Sequence, residues 1–325
     1  MTVQVQAPGG SGWLTWGFKP LDWCVNKNAS YPVYTQLLAL GHYAGVKPRL
    51  FLALMKRFGD ISAILGASVE DLQSIDDITD AMIAKVRSAA DRLSEADSYA
   101  RTMTQRDIAL IGSLDEAYPQ LLFELNDPPL LLFVRGKLPD GSAKRVALIG
   151  ADEATAEGIE LTSQVARRFA DAEVQVLSSL KGGVAAAAHL ACKTAGGRSY
   201  AVVEGGFDQL EGEGAMPLAI DIVQTGGVIS EYAPEVEVAK AHKGEVNRLL
   251  VGLSQAVVVT EVYKDSGRTL DILQFCRDIG KLVFLVIDPF HGALADEKGL
   301  HAALDAGAIP LEGLDRVDDI VKALV

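Results

Sequence analysis

The sequence is poor in cysteine. Its three, Cys24, Cys192 and Cys276, lie far apart and are odd in number. No disulfide framework or zinc spacing can be written from them, which suits a reducing compartment. No apolar run reaches the roughly 18 residues that a membrane span needs. The N-terminus lacks a basic stretch followed by an apolar one, so no secretory leader is read there. The expected location is cytoplasmic. Histidine is also scarce: five residues, with no metal-ligand spacing among His42, His242, His291 and His301. No serine–histidine–acid or cysteine–histidine set can be nominated. The reading is therefore of a non-enzymatic chain with no metal and no cofactor. Positive charge is short as well, with 30 Lys and Arg against 43 Asp and Glu, a net charge of −13. Residues 121–325 carry 30 of those acids and only 19 of the bases. Broad nucleic-acid affinity rests on lysine and arginine neutralising phosphates. Any anion site in that part must be small and focused.

What is present is an α/β alternation. Arg145–Ile149 is an apolar run of the kind buried in a parallel sheet, ended by Gly150. Ile159 to Ala170 has helical spacing, with Ile159, Val165, Ala166 and Phe169 inward. Val174–Leu177 is a second apolar run, stopped by two serines and the pair Gly182 and Gly183. A right-handed βαβ crossover puts both strand ends on one edge, where helix N-termini offer free N–H groups to ligands. Further alternation follows to the end of the chain. The predicted fold is α/β: an extended Rossmann-like, mostly parallel sheet, preceded by a small all-helical domain.

Three segments are expected. Residues 1–32 form an arm holding all three tryptophans, Trp13, Trp16 and Trp23; they serve either as a stacking or partner-binding surface or as pins to the domain. Residues 33–102 form the helical domain, of SAM or helix-hairpin-helix type, with Pro48 opening one helix and Gly59 closing it. Within it, one long helix is predicted from Thr79 to Arg101, with Met82, Val86 and Ala89 inward. Residues 103–325 form the Rossmann-like domain.

The candidate binding residues lie in the turns of that last domain. Lys181, Gly182 and Gly183 make a glycine-rich turn opening a helix, able to hold a phosphate or simply to end a strand tightly. Ser266, Gly267 and Arg268 repeat the arrangement, with Thr269 as a cap and Lys264 nearby. Asn247 and Arg248 are read at a helix start, Arg248 either facing the groove or paired with Glu245 or Glu261. Asp152 and Glu153 read as favouring the next helix N-terminus. His189, on an alanine-rich face, reads as packed.

The order of several pieces resembles the DprA/Smf family of DNA-processing proteins, from about Leu37 to about Val321. They include Tyr118-Pro-Gln-Leu-Leu, Asp127-Pro-Pro-Leu-Leu-Leu-Phe-Val-Arg-Gly, Ile229-Ser-Glu-Tyr, Asn247-Arg-Leu-Leu-Val-Gly-Leu-Ser and Val259-Thr-Glu. The resemblance implies binding and protection of single-stranded DNA, loading of the RecA recombinase in natural transformation, and a homodimer. This chain departs from the family at the anion edge. Gly-Ser-Arg becomes Gly150-Ala-Asp152, and Ser-Gly-Leu-Ala-Arg-Gly-Ile-Asp becomes Ser178-Ser-Leu-Lys-Gly-Gly-Val-Ala185. Lys181 restores a cation one place earlier, as a point charge rather than a planar fork. The expected contacts are Lys181, Gly182, Gly183, Asn247, Arg248, Lys264, Ser266, Gly267 and Arg268. Two other readings stay open: a binder of a nucleotide-derived small ligand, and a partner-docking paralogue that has lost DNA binding.

Overall fold

The computed structural model describes residues 31–210, 214–239 and 242–324, with the two-residue strands Val5–Gln6 (β1) and Trp13–Leu14 (β2), which pair antiparallel. Trp16 and Trp23 of the expected arm lie outside the described residues. The chain divides into two compact units, Met1–Asp97 with Gly112–Tyr118 and Ser98–Ile111 with Pro119–Val325. No described helix is long and apolar enough to cross a membrane.

The first unit is helical: α1 (Val33–Leu38, running on as a π-helical turn, Ala39–Tyr43), α2 (Pro48–Phe58), α3 (Ile61–Leu65), α4 (Val69–Gln73) and α5 (Asp80–Asp91). Pro48 occupies the first turn of α2, and Gly59 ends it at φ +72°, a left-handed conformation that suits glycine. Leu37, Leu54, Ile64 and Val86 are buried in its core. The single helix expected over 79–101 is two. Arg92 leaves helical geometry (φ −100°, ψ 2°), and its Nη2 donates to Glu95 Oε1 at 2.8 Å. The chain then re-enters a helix, α6 (Leu93–Gln105), that runs into the second unit. No glycine or proline marks this break. The buried stripe of α5 holds Ile83, Val86 and Ala89, while Met82 is exposed, opposite to expectation.

The second unit carries strands β3 (Ile108–Gly112), β4 (Leu131–Gly136), β5 (Arg145–Gly150), β6 (Gln175–Ser179), β7 (Ser199–Val202), β8 (Gly227–Ser230), β9 (Ala256–Glu261), β10 (Leu282–Ile287) and β11 (Ile309–Glu312). Among the described residues they form one sheet in the order β11-β10-β9-β5-β6-β7-β8-β4-β3. From β11 to β8 neighbours are parallel; β4 joins β8 antiparallel. The crossovers are α7 (Ala156–Asp171), α8 (Gly183–Thr194), α9 (Ala215–Ile222), α10 (His242–Gly252), α11 (Gly267–Ile279) and α12 (Glu297–Asp305), with α13 (Val317–Ala323) last. The expected mostly parallel, Rossmann-like architecture is what the residues build. Strands β5, β6 and β9 are buried along nearly their whole length because helices cover both faces. In α7 the inward face is Leu161, Val165, Ala166 and Phe169; Ile159, expected inward, is 44% exposed. The strand order reverses at β5, which lies between β6 and β9. The crevice outside the carboxyl ends of these strands is where such sheets bind ligands.

Candidate functional site

The turn after β6 is pressed against the end of β5. A Cβ on Gly183 would lie 2.3 Å from Ala151 O and 2.4 Å from Asp152 O, and its φ is +58°. Glycine is needed there on both counts. The Val184 N–H donates to Ala151 O at 3.1 Å. The N-cap of α8, Gly182, is exposed and provides no side-chain cap.

Glu204 lies two residues beyond β7. It is 7% exposed. Lys181 Nζ is 3.2 Å from its Oε2, and the Arg268 guanidinium pairs with its Oε1. Two of the predicted phosphate-binding cations thus share one internal carboxylate. The Arg268 side chain is only 10% exposed, and its Nε and Nη1 have no hydrogen-bond partner among the described residues. Burial lowers its pKa, partly offset by Asp152 and Asp271. Ser179, Lys181, Glu204, Gln209, Val238 and Arg268 help to line a cavity of ≈ 40 Å³. That is room for a few waters or one small group.

Asn247 and Arg248 lie within α10, which starts at His242 rather than at Asn247. Both are buried. Arg248 Nη1 donates to Asp127 O at 2.7 Å, and Nη2 donates to Glu231 Oε1 and Oε2 at 2.7 and 3.0 Å. Its Nε is 3.4 Å from Asp127 Oδ2. The partners are therefore Glu231 and Asp127, not Glu245 or Glu261, and the guanidinium faces inward. It ties the Asp127-Pro-Pro turn to the end of β8. Burial pushes the Glu231 carboxyl up to about 7, with the charge of Arg248 pulling the other way.

The helix N-terminus after β5 is occupied too. Thr155 is the N-cap of α7, its Oγ1 accepting from the Gly158 N–H at 3.0 Å. The Thr155 N–H donates to Glu261 Oε1 and Oε2 at 3.0 and 3.2 Å. A Cβ on Gly158 would sit 1.9 Å from Glu261 Oε2, so the glycine makes the space for this carboxylate. The acid at this helix start comes from the end of β9, and Asp152 and Glu153 do not cap it. The Tyr263 hydroxyl also donates to Glu261; burial, then that bond, raises its pKa.

Around α11, Ser266 Oγ accepts from the Tyr263 N–H at 3.0 Å and Gly267 opens the helix, exposed. Thr269, expected as a cap, instead donates its hydroxyl to Gly150 O at 2.6 Å and fixes α11 to the end of β5. Lys264 is exposed, and its N–H donates to Asp296 Oδ2 at 3.0 Å. The structure thus brings Lys181 and Arg268 together on Glu204, with Gly182 and Gly183 against Ala151 and Asp152 at the end of β5. It sets Lys264, Ser266 and Gly267 on the turn after β9, and turns Asn247 and Arg248 inward.

Sequence reasoning missed Glu204 altogether, and the partners of Glu231 and Glu261. Each of these acids stands within two residues of the carboxyl end of an apolar strand, which is the signal that marks them. A buried acid in that position needs a donor, and the available donors are the nominated cations and the helix N–H groups.

His189 is packed, as expected. It is fully buried, and its Nε2–H donates to Ser179 O at 2.9 Å, bracing the turn that bears Lys181. Burial lowers its pKa to about 4. The folded state then binds fewer protons than the unfolded one between about 4 and 6.5. This contribution is fully present above about 6.5 and is lost as pH falls through 4, amounting to about 3 kcal/mol. Glu231, with a raised pKa, acts in the opposite sense between about 4.5 and 7. The expected result is therefore a difference: on going from pH 7 to 4.5, wild type loses about 2 kcal/mol relative to His189→Gln in urea unfolding. Parallel pH profiles would contradict it.

The family model described as DNA recombination-mediator protein A matches residues 109–324. The DNA processing protein DprA of Streptococcus pneumoniae is 31% identical over 195 residues, 60% of this chain and 68% of that protein. Protein Smf of Synechocystis is 26% identical over 293 residues, 84% of this chain and 73% of that protein. The X-ray structure of Streptococcus pneumoniae DNA processing protein A superposes with a TM-score of 0.71 at 22% identity, covering 91% of this chain and 99% of that one. DNA processing protein A from Helicobacter pylori, described for its unique single-stranded DNA binding mode, gives 0.57 at 20% identity, covering 67% and 97%. At these identities the two superpositions report the fold.

Proposed function

Because the chain belongs to the DNA recombination-mediator protein A family, we propose that it is a DNA-processing protein that binds single-stranded DNA at the carboxyl edge of its sheet. The observation that carries this reading is the meeting of Lys181 and Arg268 on one carboxylate, Glu204, with the uncapped glycine turn of α8 following Lys181 directly in the chain. Glu204 stands where a phosphate oxygen would be held. A backbone phosphate takes its place, receiving the Arg268 fork, the Lys181 ammonium and the Gly182 and Gly183 N–H groups. Ser266, Gly267 and Lys264 extend the contact along the edge. Asn247 and Arg248 act as positioning residues, holding the Asp127-Pro-Pro turn against β8. No catalytic step is assigned. Protection of incoming strands, hand-over to a RecA recombinase, a homodimer and a cytoplasmic setting complete the reading.

The test is fluorescence anisotropy with labelled oligo-dT and a matching duplex. Single strand is expected to bind better than duplex. Lys181→Ala is expected to weaken oligo-dT binding several-fold at low salt and to flatten the salt slope by about 0.7, one phosphate contact on a single strand. Equal binding of both DNAs, or an unaffected variant, would remove the proposal.

A further inference from the structure

The loop after β10 holds out Phe290, which is 88% exposed. Asp288 builds that loop. Its Oδ1 accepts the N–H groups of Phe290 and His291 at 2.7 and 2.8 Å. Its own N–H donates to Gly292 O at 2.9 Å, and its carbonyl accepts from the Gly292 N–H at 2.8 Å. Gly292 closes the turn at φ +74°. Four hydrogen bonds fix the backbone, so an aromatic ring is presented with little ordering left to do on binding.

The loop is stitched to the segment that bears Lys264. The Val262 N–H donates to Leu294 O at 2.9 Å, Val262 bridges to Ala295, and the Lys264 N–H donates to Asp296 Oδ2. Strands β9 and β10 are neighbours and parallel, so both loops leave the same edge that carries Lys181 and Arg268. The exposed charged and polar side chains of these two loops and the start of α12 are Lys264, Asp265, His291, Glu297 and Lys298, with Pro289 the one exposed apolar residue besides Phe290. A protein partner would bury a ring together with apolar neighbours. A lone ring on a loop stitched to the turn that bears Lys264 fits a flat aromatic group attached to a phosphate.

We propose that Phe290 is a stacking platform for one unpaired nucleobase, with Lys264 on the flanking phosphate. The proposal rests on the single-stranded-DNA reading and adds a base-contacting subsite to it. Stacking is tolerant of sequence because every base has a π-face, so the subsite would select unpaired bases rather than a particular base.

The experiment compares labelled oligo-dT with an abasic strand of the same length, titrated with wild type, Phe290→Ala and Phe290→Trp. Wild type is expected to prefer oligo-dT by about tenfold, and Phe290→Ala to lose most of that preference with its salt slope unchanged. Phe290→Trp is expected to keep it. If Phe290→Ala discriminates as wild type does, the platform is refuted while the DNA reading stands. If wild type binds neither strand, both fall.

Discussion

Glu204→Gln is expected to tighten binding of single-stranded DNA by about tenfold at low salt. In the free protein the carboxylate neutralises Lys181 and Arg268 together. A phosphate arriving at those cations must first displace an anion already in place. The glutamine keeps the shape and removes that competition. Lys181 and Arg268 meet phosphate in both proteins, so the affinity should rise while the salt slope stays within about 0.7, one contact, of the wild-type value. Stability moves the other way. Arg268 is nearly buried and loses its charge partner, at a cost of about 3 kcal/mol, less than for a wholly buried pair because Lys181 is partly solvated. A variant that unfolds more easily yet binds more tightly is hard to produce by general damage. Weaker binding by a folded Glu204→Gln protein would mean that Glu204 aligns the cations rather than occupying their site.

Arg248→Ala is expected to fail differently. Glu231 would be left buried without its bidentate partner, and the Asp127 carbonyl would lose its donor. Breaking a buried pair on one side costs about 3–5 kcal/mol. In a unit of this size that is a fall of about 10 °C in Tm. The folded fraction should bind oligo-dT with an unchanged salt slope, because Arg248 faces the protein and not the edge. The loss should also be smaller at pH 5 than at pH 8. The Glu231 pKa is raised in the fold, so protonation there favours the folded state as pH falls through about 7. Adding Glu231→Gln should restore part of the lost stability. A flattened slope with normal stability would return Arg248 to the list of phosphate contacts.

The β5–α7–β6 unit was legible because parallel strands buried on both faces read as unbroken apolar runs, and glycines punctuate their ends. Pro48 and Gly59 marked α2 because each residue's backbone restriction fits one end of a helix. The tight turn at Gly182 and Gly183 was legible for the same reason. The charges were not. Lys181, Arg248 and Arg268 were nominated by type and position, but what decides their role is the acid facing each of them. Those acids come from other strand ends, distant in sequence. An acid after a strand also looks like ordinary solvated punctuation. The same holds at α7: Asp152 and Glu153 were local candidates, yet Glu261 from β9 reaches the Thr155 N–H. The break at Arg92 carried no breaker residue, so the periodicity of residues 79–101 concealed it.

The most direct measurement is the salt dependence of oligo-dT binding by the wild-type chain, followed by anisotropy from low to moderate salt. Lys181, Arg268 and Lys264 are the cations this account places on phosphate, so the slope of log K against log salt should be about −2, with duplex bound more weakly. A slope beyond about −3 would require a basic surface elsewhere on the chain, and no binding at low salt would leave the edge without a DNA ligand. Either result would contradict the account.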